Sequence, residues 1–420
     1  MRKLSSLKGW TFLAAFWVFL FATAEFAARR FYGDGFLTLV DSNVEHRRRP
    51  FTDVTRSWGS GVAFQLRTNS LGWRDSRPHH IVETRSQKKR VVLLGDSFVE
   101  GVGYNESETV SGQLQRLLGE RGRDVEVLNA GMVSYSPVLE YQRLKTFLDD
   151  GYHADVVAVF PDVSDPHDEL FYRSRMRFRN DGEPDGFLGL KYRPFAVFLW
   201  NTFALSRVFK QLRSGLKGFQ TSRENDSIRP AQDGPVNRNV STPTARWREL
   251  LAHPYRPDQL WLLPDGVAGA LRANWVYHEP SLSSWAQLGI RHTLDGLERL
   301  RVLCEAHKIP LIVVLYPWPN HLYVRNDPAF YDRLEKRFPE VLQTRELIAK
   351  KEPMPRTMIF EKAVVDWTRS AQVPVVDLFP RILNHPSAEA LYIENDIHFN
   401  PMGHAVLAES LLNEVLTALK

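Results

Sequence analysis

Val91-Val92-Leu93-Leu94-Gly95-Asp96-Ser97-Phe98 is the stretch on which the reading of this chain turns. Four consecutive apolar residues stopped by a glycine read as a strand buried on both faces, the kind that a parallel sheet uses. In such a sheet the loops and helix starts converge just beyond the strand ends, so this strand delivers a serine to a ligand-binding rim. A serine hydroxyl is a weak nucleophile until a base takes its proton. Near the other end of the chain, Asp396-Ile397-His398 offers an imidazole and a carboxylate for that work.

From this strand outward, apolar runs alternate with stretches of helical period, which predicts βαβ units around a parallel sheet. The first strand is read over residues 90–94 and a helix over 109–118, with Val110, Leu114, Leu117 and Leu118 at helical spacing. A second strand is read over 125–128, and Ser136-Pro137 opens the next helix as cap and first position. The third strand is read over 155–160. The rhythm then lapses across 161–293, which predicts an insertion at about 170–290. Within it, 214–244 reads as a polar loop and 195–212 as apolar helical pieces. It resumes with a helix through Leu297, Leu300 and Leu303, a strand from Leu311 to Leu315, a helix over 360–367, a strand over 373–376 and a last helix over 401–419.

The chain has 420 residues, 43% of them hydrophobic and 25% charged, enough for a full core with an elaborate insertion and against disorder throughout. A net charge of +5 is mild, and the runs Arg47-Arg48-Arg49 and Lys88-Lys89-Arg90 read as solvated or juxtamembrane charge. Nucleic acid is not an expected partner. The single Cys304 excludes an intrachain disulfide, and its helical spacing with Leu297, Leu300 and Leu303 reads as a buried thiol. At the start, Arg2, Lys3 and Lys8 precede an apolar run over 10–24 that Phe26-Ala27-Ala28 prolongs. This reads as a membrane anchor over 1–29, with cleavage after Ala22-Thr23-Ala24 as the alternative. Residues 30–89 form a juxtamembrane and lead-in region, and 90–420 the main domain.

The chain resembles the SGNH, or GDSL-like, hydrolase superfamily. The matching segments are Val-Leu-Leu-Gly95-Asp96-Ser97-Phe98, Leu-Asn129-Ala130-Gly131 and Asn-Asp396-Ile-His398-Phe-Asn400-Pro-Met-Gly403-His404. Upstream, Thr68-Asn69-Ser70-Leu71-Gly72-Trp73-Arg74 looks like the lead-in of many membrane-anchored bacterial members. Phe98-Val99 after the serine separates the chain from α/β-hydrolases, which carry a Gly-x-Ser-x-Gly elbow. The resemblance implies a flavodoxin-like three-layer sandwich with a central parallel sheet of about five strands, an N-terminal membrane segment and a large insertion after strand three.

Catalysis is expected from Ser97 as nucleophile, His398 as base and Asp396 as its orienting partner. The oxyanion donors implied are the backbone N–H groups of Ser97 and Gly131. Ser164 stands where the superfamily usually has an asparagine, in Asp162-Val163-Ser164-Asp165. Many members place the aspartate three residues before the histidine, where this chain has Asn395; the shorter spacing of Asp396 also occurs, as in alginate O-acetyltransferases. Asp96 and Trp318 are read as substrate-facing, each with a local alternative, as turn cap and as packing aromatic. His404 reads as a helix-start residue. The acidic run Asp165-Pro-His167-Asp168-Glu169 reads as solvated or capping, and neither a metal nor a cofactor is expected.

These readings imply a serine esterase acting on O-acyl, by default O-acetyl, groups of a cell-envelope or exopolysaccharide carbohydrate. The alternatives are a polysaccharide O-acetyltransferase of the same fold and a catalytically silent polysaccharide-binding or scaffold component. The expected partners are an acylated carbohydrate, the inner membrane through the N-terminal segment, and other polysaccharide-synthesis proteins. The expected location is the inner membrane with a periplasmic domain, or secretion after cleavage near Ala24.

Overall fold

Helix α1 (Arg2–Tyr32) opens the chain as 31 continuous helical residues. An antiparallel hairpin follows, β1 (Thr38–Asp41) with β2 (Glu45–Arg48), in which Asp41 closes the turn by accepting from the N–H groups of Asn43 and Val44. A second hairpin pairs β3 (Asp53–Trp58) with β4 (Val62–Arg67) in the register Val54 to Leu66. The lead-in after it is a tight turn: the Asn69 side chain accepts from the Leu71 and Trp73 N–H groups, and Gly72 adopts φ +72°. The structure, a computed structural model, describes residues 2–32, 37–58, 62–83, 88–206, 208, 284–319, 321–322, 328–338 and 358–420. The stretch read as a polar loop, 214–244, lies outside them.

The apolar runs become strands, with helices between them. In chain order they are β5 (Lys89–Leu94), α2 (Ser97–Glu100), α3 (Val110–Glu120), β6 (Val125–Asn129), α4 (Pro137–Asp149) and β7 (Val156–Val159). Next come α5 (Asp165–Arg173), the strand pair β8 (Met176–Phe178) and β9 (Pro184–Phe187), α6 (Leu188–Lys191) and α7 (Pro194–Thr202). The later elements are α8 (Ser284–Ala306), β10 (Leu311–Leu315), α9 (Pro328–Arg337), α10 (Ile359–Ala371), β11 (Val375–Asp377), α11 (Phe379–Leu383) and α12 (Pro401–Ala418).

One five-stranded sheet, ordered β11-β10-β7-β5-β6 with every pairing parallel, forms the centre. Numbered in chain order and read from β6, that is 2-1-3-4-5, the doubly wound flavodoxin-like order. Val91 to Leu94, Val156 to Val159 and Val313 to Val314 are fully buried, because helices cover both faces: α3 packs on α12, and α8 on α4, α5 and α10. The strand order reverses between β5 and β7. Ser97 follows the first of these strands and Asp162 the second, so both stand at the topological switch point.

Several boundaries shift. Strand β11 starts at Val375 rather than 373, and α3 at Val110 with the Thr109 side chain as its cap. The lapse of rhythm read from residue 161 contains α5, whose buried residues include Asp165, His167, Asp168 and Glu169. Polar residues inside a packed helix hide the apolar period from the sequence. Helix α7 covers part of the expected 195–212 piece and stops at Phe203, which is extended at φ −117° and ψ 124°. Cys304 is buried, and burial pushes its thiol up to about 12, as an inert core residue requires.

The chain divides into two compact units, Met1–Arg49 with Phe187–Val240, and Pro50–Gly186 with Ser241–Lys420. The sheet and every residue read as catalytic belong to the second.

Candidate active site

Ser97 is placed by its immediate neighbours. Gly95 is required by close packing, since a Cβ there would lie 2.3 Å from Val99 Cγ2. Asp96 caps α2 by accepting from the Phe98 N–H at 2.8 Å, and α2 ends after one turn at Gly101, φ +70°. Ser97 is therefore the first residue of a short helix held at both ends.

The imidazole arrives from the opposite end of the chain. His398 Nε2 lies 2.7 Å from Ser97 Oγ, and His398 Nδ1 lies 2.5 Å from Asp396 Oδ1. Asp396 Oδ1 also accepts from the His398 backbone N–H at 3.0 Å, so carboxylate and ring are tied twice within one turn. The turn is fixed on both sides: Ile393 N–H donates to His398 O, and Asn400 caps α12 through the Met402 and Gly403 N–H groups. Nδ1–H facing Asp396 leaves Nε2 as the acceptor for the serine proton. Burial works against charge on Asp396, but its bonds to the His398 side chain and backbone hold the carboxyl below its ordinary value. The Phe98 ring packs against that of His398 at 4.9 Å.

Trp58 was invisible to motif reading. Its indole N–H donates to Asp396 Oδ2 at 2.8 Å, and its ring meets the His398 ring edge-on at 5.7 Å. It comes from β3 in the lead-in region, and its only sequence signal is a large aromatic at the end of an alternating strand. Trp58→Phe keeps an aromatic, though smaller, ring and removes the donor. We expect kcat to fall about tenfold with KM unchanged, the scale of one hydrogen bond to a charged group. Steady-state kinetics checks this, and unchanged kcat contradicts a positioning role.

The expected oxyanion donors occupy different states. Ser97 N–H makes no hydrogen bond to any described residue. Gly131 N–H donates to its neighbour Asn129 Oδ1 at 3.1 Å. Gly131 is a glycine because a Cβ there would lie 2.3 Å from the Glu100 backbone nitrogen, inside α2. The Ser164 hydroxyl donates to Asp162 Oδ1 at 2.7 Å, as does the Ser164 N–H. Its proton is thus turned toward Asp162, away from the role read for it.

Asp162 gathers the remaining polar groups. Its Oδ2 accepts from the Trp318 indole at 3.1 Å, and Trp318, 4% exposed, stacks on Phe98. That is the packing alternative for Trp318, with little ring surface left for a ligand. Asp96, besides capping α2, lies 3.3 Å from Ser97 Oγ through Oδ2. In the acidic run, His167 pairs with Asp168, Glu169 with Arg173, and Asp165 accepts from the Asp162 N–H. Among the described residues, no group of three or more such side chains is placed to hold a metal ion. His404 is buried, and burial first, then the nearby His398, pushes it down to about 3, so it stays neutral.

Beneath the serine lies a bank of buried carboxyls. Burial, followed by mutual repulsion, raises Asp96, Glu140 and Asp165 well above the ordinary range. Glu140 is 1% exposed, and its Oε2 has no hydrogen-bond partner among the described residues. A carboxyl raised by folding contributes stability that is complete below its unfolded value of about 4.3 and is lost as pH rises through the folded one. Glu140→Gln removes this loss. Thermal unfolding from pH 5 to 9 should show the variant gaining on the wild type with rising pH, by up to about 1.4 kcal/mol per unit within the window. A pH-independent difference contradicts a raised Glu140.

No protein-family model and no curated protein matches the chain. Solved structures do. The lipase/acylhydrolase from Enterococcus faecalis is 13% identical, with 79% of this chain and 97% of that one covered and a TM-score of 0.33. A GDSL-like lipase from Bacteroides thetaiotaomicron is 10% identical, covering 81% and 93% with a TM-score of 0.34. The psychrotrophic esterase EstA from Pseudoalteromonas sp. is 10% identical, covering 79% and 99% with a TM-score of 0.35. The class of the site is read from this chain's own residues. Its features are a 2-1-3-4-5 parallel sheet, Gly-Asp-Ser after the first strand and Asp-x-His before the last helix.

Proposed function

We propose that the protein is a membrane-anchored serine esterase that removes acyl groups, acetyl foremost, from the hydroxyls of a cell-envelope or exopolysaccharide carbohydrate. The observation that carries this is the unbroken relay from Ser97 Oγ through His398 to Asp396, at 2.7 and 2.5 Å. In the reaction, Ser97 Oγ bonds to the ester carbon as His398 Nε2 takes its proton, and the carbonyl π electrons move to oxygen. The tetrahedral oxyanion is met by the Ser97 N–H, which bonds to no described residue, and by Gly131 N–H once the substrate draws it from Asn129. Collapse breaks the bond to the sugar oxygen, which takes the proton from His398, and leaves an acyl-serine. Water activated by His398 then releases the acid.

Transfer to a second sugar hydroxyl shares every step up to the acyl-serine, so an O-acetyltransferase is the neighbouring reading. A catalytically silent carbohydrate-binding component is favoured by one specific observation, the commitment of the Ser164 hydroxyl to Asp162. Helix α1 supports the anchor: residues Trp10–Arg30 are apolar enough to cross a membrane, and only 11% of that window is buried within the protein. An extracytoplasmic catalytic part follows from that reading.

Incubation of the full chain with an O-acetylated polysaccharide, with and without a deacetylated acceptor, tests these readings. Acetate released in both cases supports the esterase, and acetylated acceptor without free acetate supports the transferase. If neither product forms while carbohydrate still binds, the enzyme reading fails.

A further inference from the structure

Helix α7 carries Phe195, Ala196, Val197, Phe198, Leu199 and Trp200 in succession, and its outward face is uncovered: Phe195 and Phe198 are 71% and 55% exposed, and Tyr192, in the turn just before the helix, is 69% exposed. Phe195 and Phe198 are three residues apart and share one helix face. Isolated exposed apolar residues are ordinary, but a cluster of large aromatics on one helix marks a surface made for an apolar partner.

The smaller unit fixes where that surface lies relative to α1. The Asn201 side chain exchanges two hydrogen bonds of 2.8 Å with the Val40 main chain, and Arg49 donates to Asn201 O. Arg29 donates to Thr202 O at 2.8 Å, and the Phe203 ring meets the Phe21 ring at 5.4 Å. Glu25 accepts from the N–H groups of Ala204 and Leu205 at 2.8 and 3.0 Å, and from Arg29. Phe21, Glu25 and Arg29 follow at four-residue spacing, so one stripe of α1 holds the segment after α7. These bonds also explain how a carboxylate is tolerated in the apolar run: it is 8% exposed and fully matched with donors.

The depth follows from helix geometry. Phe21 lies roughly 13 Å below Arg30 along an α-helix axis, well inside a hydrocarbon layer about 30 Å thick that the span from Trp10 to Arg30 would cross. A segment touching Phe21 is therefore drawn toward the bilayer. Basic groups gather beside it: Lys191 and Arg193 precede α7, and Arg29 and Arg47 lie close enough to Arg49 to lower its basicity, after burial. Apolar aromatics flanked by cations fit anionic headgroups above acyl chains.

We propose that residues 192–205 form a second membrane-seated element, with Tyr192, Phe195 and Phe198 in the headgroup–acyl boundary beside the C-terminal half of α1. The insertion thereby returns the chain to the bilayer, and the protein is held by a two-part seat instead of one tether. The occupant is a phospholipid bilayer, because α1, which holds the segment after α7, is itself an apolar span left uncovered, with Trp17, Phe19 and Phe26 59%, 70% and 73% exposed. This inference rests on α1 being retained as an anchor.

The test uses the full chain in vesicles of phosphatidylcholine and phosphatidylglycerol, with Cys304→Ala as background and a nitroxide at Phe198→Cys, at Phe195→Cys or, as reference, at the exposed Lys362→Cys. Paramagnetic accessibility to oxygen is compared with accessibility to a water-soluble nickel chelate. The two α7 labels should favour oxygen several-fold over the Lys362 label. Flotation with the vesicles and the intact mass report the anchor separately. A mature chain beginning at Glu25 overturns the anchor and the seat together. A retained, floating chain whose α7 labels are as open to nickel as the reference overturns the seat alone. Spin–spin broadening between copies without oxygen preference also overturns it, in favour of a second copy as the occupant.

Discussion

Ser97→Ala lowers ester turnover by roughly ten-thousandfold or more, because the nucleophile and the proton that His398 must move are removed together. The fold survives the change. Among the described residues, Ser97 Oγ bonds only to His398 and, at 3.3 Å, to Asp96, while the cap on α2 comes from Asp96 through the Phe98 N–H and is untouched. Unfolding free energy should therefore shift by no more than about 1 kcal/mol. Because serine and histidine act as one unit, adding His398→Ala to Ser97→Ala costs almost nothing further. Kinetics of the two single variants and the double variant, with thermal unfolding alongside, check both statements. Residual turnover within tenfold of wild type would assign the chemistry to another group.

The second large effect is that of Asp396→Asn, for which we expect a loss of roughly a hundred- to ten-thousandfold in kcat. Asp396 Oδ1 accepts from both the His398 ring and backbone, and Oδ2 accepts from Trp58. An amide offers one acceptor to donors on both sides, so its NH2 must face either Trp58 or His398. In the second case the imidazole is driven to the tautomer that carries its proton toward Ser97 and cannot take another. The stability effect has a defined sign. Asp396 is depressed by folding, so its contribution is complete above its unfolded value of about 3.9 and is lost as pH falls through the folded value. The Asn variant lacks that acid-side loss. Unfolding measured from pH 6 down to pH 2 should show the wild type losing stability toward the variant.

What the sequence made legible was local. Ser97 and His398 announce themselves because a buried strand ending in Gly-Asp-Ser, and an Asp-x-His turn ahead of a capped helix, each fit within a few residues. The sheet followed from runs such as Val91 to Leu94 and Leu311 to Leu315, whose burial leaves no polar alternation to confuse. What failed was tertiary. Trp58 reaches Asp396 across 338 positions, and no period or motif encodes that contact. Ser164 was read by its place in a block, but its hydroxyl is taken by an aspartate two residues back, the competition that short polar side chains make for nearby groups. Trp318 likewise satisfies its indole inside the fold. Gly131 is legible only as a backbone donor, whereas the approach of α2 is what demands a residue without a Cβ there.

The buried carboxyls also tie fold to chemistry. Asp96 and Asp162, both raised chiefly by burial, sit beside Ser97 and Ser164, and Asp162 takes four donors. In the proposed mechanism the site is consequently well ordered in its nucleophilic half and sparing in its oxyanion half. That asymmetry makes the activation of Ser97 the central claim.

Intact-mass analysis of the full chain after exposure to a fluorophosphonate, with Ser97→Ala alongside, tests it most directly. The account predicts one phosphonyl adduct per chain, mapped by peptide fragmentation to Ser97 and absent from the variant. A folded wild-type sample that acquires no adduct, or acquires it at another residue, would contradict it.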